Sequence, residues 1–315
     1  MPKLAAVTGA TGFIGRHVVT ALWRRGWGVR VLARRHPVEL LSPHHRFEMV
    51  LGDLAEGPSL ERLVRGADAV IHLAGLVKAM TAEDFYRANE GGTERLLRAA
   101  ARAAPDAMLI HVSSLAAREP RLSPYCDSKH KAELRVRELA GDRVWTILRP
   151  PAVYGPGDHE ILPMFKAAKI GVVPYPAATG AAVSLIHVAD LAEAIVASLG
   201  RSGPPQATIE VDDGVPGGYR WPDILSALGE AVGRKPAGLR LPRAGLSAIA
   251  AANRLLTRID RKPRILVPDK VAEIYWPDWV ASGSRLQEVS DWCPSFDAWS
   301  GFRDAAKWYK ITHLL

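Results

Sequence analysis

The stretch VTGATGFIGRHVV, residues 7–19, carries the strongest fold signal in the chain. Its three glycines, Gly9, Gly12 and Gly15, would weaken an ordinary strand or helix, because glycine loses more conformational freedom on folding than any other residue. In a turn from a strand to a helix, however, Gly9 permits the tight turn, Gly12 lets backbone approach a pyrophosphate, and Gly15 allows close helix packing. The N-terminus of the following helix offers free N–H groups to phosphates. This stretch therefore predicts a dinucleotide-binding turn.

The chain around this turn alternates short apolar runs with segments of helical periodicity. Such alternation is typical of a doubly wound, parallel α/β sheet with right-handed crossovers, whose strands are covered on both faces. Strands are predicted at 4–7, 29–33, 47–50, 69–74, 107–114 and 144–150, and helices at 12–25, 58–65, 82–104 and 125–140.

After Pro150 the sequence becomes rich in proline and glycine. The stretches 149–158 and 172–180 are predicted to be loops for that reason. Helices are predicted at 189–199, 221–233, 244–257 and 297–310, and strands at 183–187 and 207–211. We therefore expect an α/β Rossmann domain over residues 1–150 and a smaller, loop-rich substrate-binding lobe over 151–315, with residues 184–211 returning to the core sheet.

Composition limits the classes of function. A chain of 315 residues with 48% hydrophobic and 23% charged residues is typical of a well-packed soluble protein. The net charge of +8 favours an anionic partner, which could be nucleic acid, a membrane surface or a phosphorylated cofactor, or it indicates only a basic solvated surface. The arginine pairs at 24–25 and 34–35 lack interleaved aromatic residues, so nucleic acid is not an expected partner.

Cysteine and histidine usage and the N-terminus bear on compartment and on metal binding. Two cysteines and no signal-like start predict a cytoplasmic protein, and the apolar run 244–256 is too short to be an integral membrane segment. His72, His111 and His187 occur without the spacing of a metal motif, so no metal site is predicted.

The end of the second predicted strand bears on which dinucleotide binds. NAD is usually held there by a carboxylate about 20 residues after the glycines, but this strand ends in Ala33, Arg34 and Arg35. Two guanidinium groups suit a 2′-phosphate, which favours NADP over NAD. The alternative is a pair of solvated arginines. Asp53, after the third strand, is a candidate acceptor for the adenine amino group.

The stretch SPYCDSKHKAE, residues 123–133, contains Tyr125 and Lys129 on one face of a predicted helix. An ammonium beside a phenol stabilises the phenolate, so the tyrosine could exchange a proton with a carbonyl oxygen. Ser113 and Ser114 end the preceding strand at the carboxyl edge, where ligands of open α/β sheets bind. The alternative interpretations are an exposed helical pair and simple capping of the strand end.

Together these motifs resemble the extended short-chain dehydrogenase/reductase family, in its epimerase/dehydratase group. The resemblance is carried in family order by TGATGFIG, GDL, HLAG, NEGGT, HVSS, the Tyr-x-x-x-Lys pair and RPPAVYGPGD, and later by SLIHVADLAEAI. It implies that Tyr125 is the general acid/base, that Lys129 tunes it and holds the nicotinamide ribose, and that Ser114 binds the substrate oxygen, with Ser113 a close rival. It also implies a structural role for Asn89.

The predicted binding sites extend along the carboxyl edge of the sheet. The resemblance places Gly75 near the cofactor, at a position that is commonly alanine, and Pro150 where the chain passes the nicotinamide. Lys78, Ser114 and Tyr154 are expected to bind substrate. The complete cofactor-binding prediction comprises Gly9, Thr11, Gly12, Phe13, Ile14, Gly15, Arg34, Arg35, Asp53, Leu54, Leu73, Ala74, Gly75, Ser113, Tyr125, Lys129, Pro150 and Val153.

The short interval between Ser114 and Tyr125 lacks the long loop of sugar-nucleotide epimerases. The later part of the chain, with RLP before an apolar helix, instead resembles branches of the family that handle ketones or hydroxyls on hydrophobic skeletons. We therefore expect an NAD(P)-dependent oxidoreductase, with NADP favoured, that acts on a ketone or secondary alcohol of a largely apolar small molecule. Two alternatives stay open: a nucleotide-sugar epimerase or dehydratase with a tightly held cofactor, and a non-catalytic dinucleotide-binding sensor or accessory subunit. A homodimer is the assembly to test.

Overall fold

The computed structural model describes residues 2–36, 47–178, 180–200, 205–260, 264, 266–283 and 286–315. They form two compact units. Unit 1 comprises Met1–Arg149, Ala192–Glu210 and Gly283–Trp292, and unit 2 comprises Pro150–Leu191, Val211–Ser282 and Cys293–Leu315.

The regular elements follow in chain order. The strands are β1 (Leu4–Thr8), β2 (Gly28–Ala33), β3 (Glu48–Leu51), β4 (Ala69–His72), β5 (Met108–Val112), β6 (Trp145–Arg149), β7 (Ala152–Tyr154), β8 (Val172–Pro176), β9 (Ala182–Val183), β10 (Leu185–His187), β11 (Gln206–Glu210), β12 (Tyr219–Arg220), β13 (Ala237–Leu241) and β14 (Asp278–Trp279). The α-helices are α1 (Phe13–Arg24), α2 (Gly57–Val64), α3 (Ala82–Phe85), α4 (Gly91–Ala103), α5 (Pro124–Leu139), α6 (Leu162–Ile170), α7 (Val188–Ala197), α8 (Trp221–Val232), α9 (Arg243–Asp260), α10 (Pro268–Ile274) and α11 (Ala298–Ile311).

Unit 1 is built on a seven-stranded sheet in the order β11-β6-β5-β4-β1-β2-β3. Every neighbouring pair is parallel. Apolar residues of α2, α4 and α5, among them Leu60, Leu96 and Val136, pack with strand residues such as Ile147 in one buried cluster. The predicted doubly wound α/β class is therefore confirmed.

Unit 2 has three small sheets, β10-β7, β12-β9-β14 and β13-β8. Its core is aromatic: Phe165 and Phe302 lie edge to face at 5.5 Å, and Phe165 meets Tyr309 at 5.1 Å. All three rings are buried.

Three predictions of local structure were wrong in detail. The single helix expected over 82–104 is divided into α3, a π-helical turn at Tyr86–Glu90 and α4. The loop expected over 149–158 contains β7, and the loop over 172–180 contains β8. Pro174 and Pro176 are tolerated in β8 because a two-stranded sheet has only edge strands.

Candidate active site

The glycine turn brings backbone so close together that side chains are excluded. Gly9 has φ +72°, and a Cβ there would lie 2.7 Å from the backbone nitrogen of Ala74. A Cβ on Gly15 would lie 2.1 Å from the carbonyl oxygen of Gly9. The start of α1 thus packs directly on the turn, and the turn packs on the segment after β4.

The N-terminus of α1 fits a dinucleotide phosphate. The helix begins after Gly12, no side chain caps it, and its first turn contains no acidic residue. Thr11 and Gly12 are exposed, whereas Phe13 and Ile14 are half-buried. Uncapped N–H groups with a partial positive charge and no competing carboxylate are what an anion needs at a helix N-terminus.

The opposite end of the predicted cofactor site lies after β2 and β3. Arg34 and Arg35 directly follow β2 and are exposed. The backbone N–H of Gly52 donates to the carbonyl of Ala33 at 3.1 Å, which brings the loop after β3 beside these arginines. One carboxylate oxygen of Asp53 in that loop accepts from the N–H of Ala55 at 2.6 Å.

Asn89 fixes the segment after β4 against α5. It lies in the π-helical turn, is buried, and its Oδ1 accepts from the N–H of Leu76 at 2.7 Å. Its Nδ2 donates to the carbonyl of Leu76 at 3.1 Å and to Ser128 Oγ at 2.9 Å. A Cβ on Gly75 would lie 2.9 Å from Asn89 Oδ1, so this contact also explains a glycine there.

Lys129 is a buried ammonium at the carboxyl end of β5. Its Nζ donates to the carbonyl of Val112 at 2.9 Å, and the residue is only 7% exposed. Burial lowers the pKa of Lys129 to about 8, against the opposing effect of Glu133. Tyr125 lies one turn earlier on α5 and is half-buried, with its ring centroid 5.9 Å from that of Phe85.

The two strand-end serines have different environments. Ser113 is buried, and its hydroxyl donates to Glu133 Oε1 at 2.6 Å. Ser114 is half-buried, and its Oγ accepts from the N–H of Ala116 at 3.2 Å. An accepted bond uses an oxygen lone pair and leaves the hydroxyl proton for another partner. The geometry therefore favours Ser114 over Ser113 as a substrate contact.

Behind the serines lies an ion-pair network that the sequence analysis missed. Glu133 is fully buried and accepts from Arg149 through Nε at 2.8 Å and Nη2 at 2.6 Å, in addition to Ser113. A usable signal was present, since Glu133 follows Lys129 by one helical turn and therefore shares its face.

Buried histidines complete the neighbourhood of Lys129. The ring nitrogens of His72 contact Thr8 Oγ1 at 2.7 Å and Thr93 Oγ1 at 2.9 Å. Burial, and secondarily the charge of Lys129, lowers the pKa of His72 to about 3, so the ring is neutral. Within the described residues, no group of three or more His, Cys, Asp or Glu side chains could hold a metal ion.

The remaining predicted residues are distributed over both units. Lys78 is half-buried in a loop of unit 1, and Pro150 and Val153 belong to unit 2. Tyr154 lies in the core of unit 2, where its hydroxyl donates to the carbonyl of Asp297 at 3.0 Å and its ring meets Phe302 at 4.9 Å. A side chain enclosed in this way contributes to core packing, so the substrate role predicted for Tyr154 gains no support from the structure.

The parallel sheet and the glycine turn at the start of α1 define a dinucleotide-binding α/β protein. Comparison with known families agrees, since residues 5–211 match the NAD dependent epimerase/dehydratase family. The chain belongs to this family, within the extended short-chain dehydrogenases/reductases, and is an NAD(P)-dependent oxidoreductase.

Two relatives and one solved structure illustrate what the chain is similar to. The chain is 41% identical to a ceramide reductase of Caulobacter vibrioides over 99% of its length and 96% of the relative. It is 30% identical to a farnesyl-dihydroquinoline-oxide ketoreductase of Stigmatella aurantiaca over 67% of its length and 68% of the relative. The solved structure of MoeE5 with UDP-glucose and NAD has a TM-score of 0.75 at 21% identity and covers 99% of both chains. At that identity the structural match shows the fold alone.

Among the described residues, no helix combines the length and the apolar character needed to cross a bilayer.

Proposed function

We propose that this protein is a reductase that converts a ketone on a ceramide-class lipid into a secondary alcohol. The observation that carries the proposal is the 41% identity to a ceramide reductase over nearly the full length of both chains. Ceramides are N-acylated long-chain amino alcohols, which agrees with the largely apolar small-molecule substrate expected from the later part of the sequence.

The surface beside the candidate catalytic residues also supports an apolar substrate. The loop that Asn89 anchors at Leu76 exposes Leu76, Val77 and Met80, which are 38%, 57% and 43% exposed. Exposed aliphatic side chains grouped in one short loop are typical of a binding site for an apolar ligand.

The proposed chemistry assigns one task to each side chain. When bound, the reduced nicotinamide supplies the hydride for the carbonyl carbon. Ser114 holds the carbonyl oxygen by a hydrogen bond, and Tyr125 donates its phenolic proton to that oxygen as negative charge develops. Lys129, held by the carbonyl of Val112, stabilises the resulting phenolate with its ammonium charge. Tyr125 then regains a proton from solvent.

The reaction is tested by the variant Tyr125→Phe with a ketone of a ceramide-class lipid, supplied in detergent together with NADPH. Turnover should fall by two to four orders of magnitude, about the contribution of general acid catalysis, and cofactor affinity should stay nearly unchanged. Tyr86→Phe is the matched control, because the Tyr86 hydroxyl donates to Asp127 and has no part in the proposed reaction. NADPH oxidation at each variant gives the rate.

Three outcomes would count against this function. Full activity of Tyr125→Phe would refute the proton-transfer role. Turnover of nucleotide-sugars, with none of the lipid ketone, would favour the epimerase or dehydratase alternative. Cofactor binding without turnover of any member of either substrate class would favour a sensor or accessory subunit.

We also propose that NADP is the preferred dinucleotide. Support comes from the exposed Arg34 and Arg35 directly after β2, since arginine binds a phosphate through parallel hydrogen bonds. In fluorescence titrations NADPH should bind more tightly than NADH, and Arg34→Ala should reduce the preference by roughly 10- to 100-fold, as expected for lost charge-assisted hydrogen bonds. Arg24→Ala, an exposed change at the far end of α1, is the control. Equal or tighter NADH binding by the unmodified protein would refute this preference.

A further inference from the structure

Among the described side chains of helix α9, Arg243–Asp260, the buried ones lie on one narrow face. Leu246 and Ala250 pack with Val271 of α10 in a small apolar cluster. On the same face, Asn253 Nδ2 donates to the carbonyl of Leu266 at 3.0 Å, and Thr257 is buried. These positions recur at intervals of three and four residues, which is one stripe along a helix. Most other described side chains of the helix are exposed.

The second face of α9 is apolar and exposed. Ile249, Leu255, Leu256 and Ile259 are 48%, 60%, 47% and 71% exposed. The intervals between them place these side chains on adjoining stripes of one face. Single exposed aliphatic residues are ordinary on a soluble protein, but four on one helix face form a patch of the kind that marks an interaction surface.

The third face of α9 is basic. Arg243 and Arg254 are exposed and eleven residues apart, which is about three turns, so they lie on the same side of the helix. The described acidic residue of α9, Asp260, forms an ion pair with Arg264 at 2.7 Å. On the helical wheel these arginines lie opposite the aliphatic face. An exposed apolar face with cations on the opposite side, on a helix that lacks the length and apolar character to span a bilayer, is the pattern of a helix that lies in a membrane interface.

We propose that α9 binds the surface of an anionic membrane, with its aliphatic face among the lipid headgroups and its arginines on lipid phosphates. Charge favours this partner over a second copy of the chain, because an anionic surface attracts the arginines of α9, whereas α9 of a second copy carries the same cations and offers them no countercharge. The net charge of +8 acts in the same direction. The inference rests on the proposed function in one respect, since an enzyme that acts on a lipid would meet its substrate at a membrane surface. The surface itself is defined without reference to catalysis.

The test measures co-sedimentation of the full-length protein with vesicles, in the absence of substrate and cofactor. Vesicles of phosphatidylcholine with phosphatidylglycerol should bind the protein, vesicles of phosphatidylcholine alone should bind it much less, and salt should weaken the binding. The double variant Leu255→Ser/Leu256→Ser should bind at least roughly ten-fold more weakly, because two aliphatic side chains no longer leave water. Arg254→Ala should weaken binding to the anionic vesicles by roughly five-fold.

Matched controls are available in unit 2. Ile170 and Ile311 are 74% and 67% exposed on α6 and α11, so Ile170→Ser and Ile311→Ser alter equally exposed aliphatic residues outside α9. Both variants should keep the binding of the unmodified protein. Circular dichroism verifies that each variant is folded.

Several outcomes would overturn the proposal. These are no binding to anionic vesicles, binding that the double variant does not weaken, and concentration-dependent self-association that the double variant abolishes, which would identify a second copy as the partner. Activity on a ketone that is dispersed in detergent tests the proposed function separately from membrane binding. If the membrane proposal alone fails, the ketone is still reduced, and if the function alone fails, vesicle binding persists without turnover.

Discussion

Lys129 shows how one residue connects packing with chemistry. Its ammonium is buried beside neutral histidines and is held by a backbone carbonyl at 2.9 Å. Burial disfavours the charged form, and Glu133 only partly offsets that cost. A pKa of about 8 means that the group still carries its charge at neutral pH. The fold thus maintains a cation one helical turn from the candidate acid Tyr125 at the expense of stability.

This cost predicts a pH dependence of unfolding. In the folded chain Lys129 loses its proton near pH 8, while in the unfolded chain it keeps it to about 10.5. Between these values the unfolded state binds more protons, so the free energy of unfolding should rise with pH, by up to about 3 kcal/mol. Urea denaturation at about pH 7.5, 9 and 10 measures this rise.

Lys129→Met should lack this rise, because it has no proton to lose. Lys131→Met is the matched control on the same helix, since Lys131 is partly exposed and pairs with Asp127 at 3.0 Å. The control should keep the pH slope of the unmodified protein. Equal slopes in all three proteins would contradict the assignment.

At the scale of elements, the glycine turn joins β1, α1 and the segment after β4. The turn requires glycine at two positions where backbone approaches backbone. A Cβ on Gly9 would clash with Ala74, and a Cβ on Gly15 would clash with Gly9. Both contacts involve backbone, which cannot rotate away as a flexible side chain would.

Gly15→Ala should therefore shift α1 away from the turn. We expect a loss of about 2 kcal/mol or more in the free energy of unfolding, in the range of overpacking, together with weaker cofactor binding. Gly57→Ala is the control, because a Cβ there meets no atom within 4 Å and the backbone is not left-handed. Denaturant unfolding compares the two variants, and equal stabilities would refute the packing argument.

The buried pair of Glu133 and Arg149 connects α5 to β6 by two hydrogen bonds and reaches β5 through Ser113. Glu133→Gln would leave the Arg149 guanidinium without a full countercharge. Breaking a buried pair in this way should cost about 3 kcal/mol. Glu61→Gln, which breaks the exposed pair of Glu61 with Arg102, should cost less than about 1 kcal/mol. A similar loss in both variants, measured by urea unfolding, would mean that burial does not determine the value of the pair.

On the scale of the whole molecule, unit 1 is assembled from three separate segments of the chain. β11 pairs in parallel with β6, although the chain between them forms several elements of unit 2. Glu210 at the end of β11 then accepts from Arg118 at 3.4 Å and from the backbone N–H of Gly283 at 2.9 Å. Buried charge at this point therefore connects all three segments of unit 1, and the sheet is complete only when β11 has paired with β6.

The sequence alone determined the alternation of strands and helices, the glycine turn, and the candidates Ser114, Tyr125 and Lys129. These features are local: burial of a parallel strand on both faces produces an apolar run, a tight turn requires glycine, and a pair four residues apart shares a helix face. Only the tertiary structure decided that Ser113 is held by Glu133, that Tyr154 is enclosed in a core, and that prolines lie in β8. Each of these three features depends on partners that are distant in sequence, so no local sequence pattern could predict it. The same holds for α9, whose periodicity indicated a helix, whereas packing against α10 decided which face stays exposed.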